Sequence, residues 1–151
     1  MSATSDAQLK SVRWAACVAG LWAGVLLGIG LIGAPAAFAT VLPATAGRAV
    51  GRMFAQEAYL SLALALLMCL LLRRRSQGET QPGAVFSVNL MLALGALFCT
   101  VAGYFGIQPT MAAARAGESA VSFGTLHLLS ASFFALKAVL VTALAWRLTA
   151  R

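Results

Sequence analysis

Four apolar runs, each about 20 residues long, dominate this chain, and a run of that length can cross about 30 Å of hydrocarbon only as a helix. The first, from about Trp14 to Gly33, stops at Ala34-Pro35, where proline lacks a backbone donor and restricts the residue before it. The second, about Met53 to Leu72, ends at Arg73-Arg74-Arg75. The third, about Ala84 to Phe105, follows Gln81-Pro82-Gly83 and closes on Gly103 and Gly106, and the fourth, about Phe123 to Trp146, is followed by Arg147. With 61% hydrophobic and only 10% charged residues, a water-soluble globule is excluded. The expected fold class is all-α: one transmembrane domain over residues 1–151, an integral membrane four-helix bundle.

Lys10 and Arg13 before the first run, with Ala37-Phe38-Ala39 after it, imitate a secretory signal. The run is longer than the roughly 7 to 15 residues of a signal core, so a membrane span is expected instead. A net charge of +7 would suggest nucleic acid in a soluble protein. Here the basic residues fall between the apolar runs, so the expected partner is the lipid bilayer and not nucleic acid. Lys10, Arg13, Arg73, Arg74, Arg75, Arg147 and Arg151 share one side, against Arg48, Arg52 and Arg115 on the other. Positive-inside counting therefore puts both termini on the cytoplasmic side, with Ala34 to Arg52 and Ile107 to Ser122 outside. Ser2 to Gln8 and Ser76 to Gly83 are polar ends and linkers.

Gly20, Gly24 and Gly28 recur every four residues, a spacing that lets another helix backbone approach. Gly95, Cys99 and Gly103 form a similar stripe. The two stripes are expected to pack inside the bundle, against each other, or against a second copy in a homo-oligomer. Trp14, Trp146 and Arg147 read as anchors at the cytoplasmic boundary.

Ionisable groups inside spans are the functional candidates, because a charge in the bilayer core costs several kcal/mol unless paired or hydrated. His127, Ser130, Phe134 and Lys137 fall within a sector of roughly 80° on the fourth helix, one stripe facing the interior. Glu57, near the outer start of the second helix, is expected at the depth of His127, where the two could meet to relay a proton or hold a cation. Arg48, Arg52, Gln56 and Tyr59 form a second stripe whose guanidinium groups suit an anion or a lipid headgroup, or Glu118. No acid is expected at the level of Lys137, so no fixed ion pair: Lys137 is expected to join the ligand-binding residues, with snorkelling or a hydrogen bond to Ser61 or Asn89 as the structural alternative.

One His excludes a bis-His haem within a subunit and any His-rich metal site. Cys17, Cys69, Met68 and Met91 carry no metal-binding spacing, and Cys17, Cys69 and Cys99 offer no disulfide framework. No nucleophile elbow, phosphate-cradling loop or paired-carboxylate signature occurs, so no cofactor and no catalytic residue is expected.

Ala34-Pro35-Ala36-Ala37-Phe38, then Ala46-Gly47-Arg48-Ala49-Val50-Gly51-Arg52-Met53-Phe54 and Tyr59, resemble the first half of the transmembrane protein 205-like family. Gln108-Pro109, Glu118 and Leu126-His127-Leu128-Leu129-Ser130 are similar to its second half. The resemblance implies a four-helix membrane protein, known in bacteria mainly as a domain of unknown function, and favours transport or trafficking over catalysis. It marks Gly47, Arg48, Gly51, Phe54, Tyr59, His127 and Ser130. Phe133 and Phe134 stand where Asn is common in relatives, which makes Lys137 look like a feature of this branch. The expected function is binding or passage of a small solute or ion in a polar pocket between the second and fourth helices, lined by Arg48, Arg52, Gln56, Glu57, Tyr59, His127 and Ser130. A non-catalytic assembly partner using the Gly20-Gly24-Gly28 seam and a haem-linked redox protein are the alternatives.

Overall fold

The computed structural model describes residues 3–76 and 87–150, with side chains from Val12 to Arg73 and from Ser87 to Ala150. The side chains of Lys10, Arg74, Arg75 and Arg151, the Ser2 to Gln8 tail, the Ser76 to Gly83 linker and the predicted start of the third span at Ala84 therefore lie wholly or partly outside the described residues. The elements are α1 (Ala3–Leu27), a π-helical segment π1 (Gly28–Gly33), α2 (Ala34–Thr40), α3 (Pro43–Ser76), α4 (Val88–Thr100), π2 (Val101–Gly106), α5 (Gln108–Arg115) and α6 (Phe123–Thr149). They make four helices long and apolar enough to span a membrane, over Val12–Thr40, Pro43–Arg73, Val88–Arg115 and Phe123–Thr149. No strand occurs among the described residues.

Two predicted ends are corrected. Helix continues past Ala34-Pro35 to Thr40, and past Gly106 to Arg115, so the expected outer segments are largely helical. In each case a π-helical turn precedes the proline, which sits in the first two positions of the restarted helix, where a missing N–H is tolerated. The first two spans are joined by Val41 and Leu42 alone, and the Leu42 carbonyl accepts from the N–H groups of Thr45 (2.9 Å) and Ala46 (2.9 Å). With Pro43 as its first residue, α3 starts about ten residues before the predicted Met53, which adds about 15 Å of helix.

The turn after α5 follows a Schellman pattern. Gly117 takes a positive φ of 77°, its N–H reaches the Ala114 carbonyl at 3.3 Å, and Glu118 N–H reaches that of Ala113 at 2.9 Å. Ser122 then caps α6, its hydroxyl accepting from Thr125 N–H at 3.2 Å.

Helices consecutive in the chain are neighbours in space, and α6 closes the ring against α1, leaving α3 and α6 facing each other diagonally across the bundle. One core fills the half nearer the termini, built from Trp22, Leu26, Met68, Val141 and Leu144 with the alanines Ala15, Ala19, Ala23, Ala65, Ala93 and Ala96. Between helices already in lipid, close contact of small residues supplies the packing attraction. A smaller cluster of Ile107, Met111 and Leu126 closes the hairpin end.

The glycine expectation changes accordingly. Ala15, Ala19 and Ala23 form the seam that faces inward on α1, whereas Gly20 and Gly24 are exposed, and a Cβ at Gly20, Gly24 or Gly28 would meet nothing within 4 Å. Both rows have four-residue spacing. Trp22 and Leu26, fully buried on the alanine side, decide which one turns in. Gly95 and Gly103 do approach α6: a Cβ at Gly95 would lie 3.1 Å from Leu140 Cδ1, and one at Gly103 would overlap the Cβ of Phe133. They pack on the fourth span and not on the Gly20-Gly24-Gly28 row.

Candidate functional site

At the centre of the bundle Lys137 Nζ donates to both carboxylate oxygens of Glu57, each at 2.8 Å. Glu57 comes from α3 and Lys137 from α6, so the pair crosses the diagonal, and both residues are only 3% exposed. Ser61, one turn below Glu57 on α3, donates its hydroxyl to Glu57 Oε1. Trp22 of α1 donates its indole N–H to Ser61 Oγ at 2.8 Å. Three spans thus contribute to one buried polar chain, Trp22 to Ser61 to Glu57 to Lys137. Among the described residues no buried side-chain nitrogen or oxygen is left without a partner.

The site is closed along the bundle axis. One turn toward the hairpin end, Phe54 and Phe134 meet edge to face with centroids 4.9 Å apart, and the Phe134 ring centroid lies 5.2 Å from Lys137 Nζ. Gly30 in π1 makes room for that ring, since a Cβ there would lie 3.0 Å from Phe134 Cε1. Toward the termini lies the apolar core. The indole that ends the chain only donates, so it cannot take up a proton from the other side.

Two expectations are overturned here. An acid does stand at the level of Lys137, and its partner is Glu57 rather than Ser61 or Asn89; Asn89 instead accepts from Arg147 Nε at 3.0 Å. Glu57 does not meet His127, which is exposed at the start of α6 and stacks on Phe123 with centroids 5.8 Å apart, while Arg115 lies 4.8 Å from the same Phe123 ring centroid. The cause is the early start of α3. The contacts Glu57 to Lys137 and Phe54 to Phe134 fix one register between the parallel helices α3 and α6, and that register sets Glu57 about ten residues, or 15 Å, deeper than His127.

The predicted pocket therefore does not assemble as one site. Arg48, Arg52, Gln56 and Tyr59 are exposed on the face of α3 opposite Glu57. Arg48 donates to Thr45 Oγ1 at 3.3 Å, and Tyr59 packs edge-on to Phe105 with centroids 5.4 Å apart. Ser130 belongs to the backbone: the Ile107 N–H turns to the Tyr104 carbonyl, and the Gly103 carbonyl receives the Ser130 hydroxyl at 2.8 Å. That bond gives the Gly103 carbonyl, inside the π2 segment, a side-chain donor from α6. Cys17 is exposed, Cys69 half-buried and Cys99 buried, and no group of three His, Cys, Asp or Glu side chains suited to a metal occurs among the described residues.

Trp22 is the member of the site that sequence reading missed. Its signal was available: it sits mid-span, away from the interfacial belt where tryptophan is usual, and a buried indole N–H requires an acceptor.

A family model described as "Domain of unknown function (DUF4149)" matches residues 17–120. The stretch includes Trp22, Glu57 and Ser61 and ends before Lys137. No curated protein and no solved structure matches the chain. Running from the first span into the loop before the fourth, the match covers more than half of the 151 residues, and the chain belongs to this family of unknown function.

Proposed function

We propose that the protein binds or passes a small ion at the Glu57–Lys137 pair, between the second and fourth spans, and that the proton is the ion it handles. The observation that carries this reading is a carboxylate whose counter-ion is one ammonium, 2.8 Å from both oxygens, shut between the Phe54–Phe134 contact and the apolar core. Transfer of one proton from Lys137 to Glu57 converts an ion pair into two neutral groups without bringing net charge into the bilayer. Either form is compatible with the closed site; passage also needs the Phe54–Phe134 contact and the packing toward the termini to part in turn, so that Glu57 releases its proton on one side and neutral Lys137 takes one up on the other. The resemblance to the transmembrane protein 205-like family agrees with transport. On this reading the chain sits in the bacterial inner membrane with both termini cytoplasmic, following the positive-inside count.

The test is proton flux into proteoliposomes carrying an imposed pH gradient and an internal pH dye. Wild type should exceed protein-free vesicles, and Glu57→Gln and Lys137→Met should fall to the protein-free rate. A wild type no faster than empty vesicles, or a Glu57→Gln variant as fast as wild type, overturns the reading.

A second reading rests on the outward row of Gly20, Gly24 and Gly28, which no described helix covers. It makes the protein a homo-oligomer or an assembly partner that docks another helix there. Leucine at Gly20 and Gly24 should then dissociate the complex seen by native mass spectrometry, and an unchanged complex removes this alternative.

A further inference from the structure

We infer that the exposed face of α3 at the hairpin end holds an anionic phospholipid, with its phosphate between Arg48 and Arg52. Of the four acids in the chain, Glu57 is taken by Lys137 and Glu118 is exposed in the loop, while Asp6 precedes the first span and Glu79 lies between the second and third in sequence. Arg48 has only the neutral hydroxyl of Thr45, and Arg52 has no hydrogen-bond or ion-pair partner among the described residues. Two guanidinium groups one turn apart therefore have no counter-charge among the described residues.

Depth points to a lipid. Counted from the middle of the Pro43–Arg73 span, Arg52 lies about 9 Å and Arg48 about 15 Å toward the hairpin end. The hydrocarbon edge is also about 15 Å from the middle. Helix side chains lean toward the N-terminus, which for α3 is the hairpin end, so the Arg52 guanidinium rises toward the level of Arg48. Both then reach the plane of the lipid phosphates, where bidentate pairing is available.

Space for the rest of the molecule lies alongside. Ala44, Gly47, Gly51 and Ala55 form a row of small side chains flanking the arginines, and a Cβ at Gly47 or Gly51 would meet nothing within 4 Å. An acyl chain descending from the phosphate fits this shallow channel, which a free phosphate ion would leave empty.

The experiment uses the full chain in nanodiscs of equal phosphatidylglycerol and phosphatidylcholine, released and weighed by native mass spectrometry. Wild type should retain phosphatidylglycerol in preference to phosphatidylcholine, and each of Arg48→Gln and Arg52→Gln should reduce that preference about fivefold. The single variants keep the test open if the double variant does not purify. Arg115→Gln, at the same end of the bundle, should leave the preference intact. Equal retention of the two lipids by wild type, unchanged preference in both single variants, an equal loss in Arg115→Gln, or displacement of the lipid by excess inorganic phosphate overturns the inference.

Discussion

Removing one member of a buried, hydrogen-bonded ion pair strands the other, which costs about 3–5 kcal/mol, whereas replacing both by apolar groups is often neutral. For Glu57 and Lys137, each 3% exposed, Glu57→Leu or Lys137→Leu alone should therefore destabilise strongly, and the double variant should be more stable than either single one. Unfolding in mixed detergent micelles measures all three, and simple additivity would show that the two groups act independently. Ser61→Ala should cost less, about 1–3 kcal/mol, because it leaves the Trp22 indole without its acceptor but keeps the ion pair. At this scale the sequence was half legible. Glu57, Ser61 and Lys137 each stood out as polar groups in apolar runs, and their identities needed no structure. Their pairing depended on relative depth, which shifted by about three helical turns once Pro43 rather than Met53 began the helix.

Each of the two spans that contain an internal proline answers it with a π-helical turn, and consecutive phenylalanines of α6 dock on a glycine in each: Phe134 on Gly30 and Phe133 on Gly103. Close approach is what those glycines permit. Gly103→Ala should destabilise by about 1–3 kcal/mol, since the added methyl meets the Phe133 Cβ rather than a movable side-chain end. Ser130→Ala should cost about as much by removing the hydroxyl from which the Gly103 carbonyl accepts. Thermal unfolding of both variants checks this, and wild-type stability in Ser130→Ala would mean that another group satisfies the carbonyl. The element count was readable from apolar length alone. Where helices end was not, because a proline read as a stop signal is also the residue suited to the first turn of a new helix. The inward face of α1 was hidden for a similar reason, as alanine and glycine rows shared one spacing until the bulk of Trp22 and Leu26 separated them.

For the molecule as a whole, the two-residue link at Val41 and Leu42 makes the first two spans a single tight hairpin, with the third and fourth spans following beyond the region 77–86. Glu57 lies in the first half and Lys137 in the second. Neither half holds both members of the pair, so the bond between them can form only when both halves are in place. Expressed alone, residues 1–83 should be short-lived in a pulse-chase experiment, and Glu57→Leu should lengthen their lifetime; equal lifetimes would separate turnover from the buried carboxylate. A chain halted midway thus has one member of the diagonal pair without the other, and a finished one encloses both.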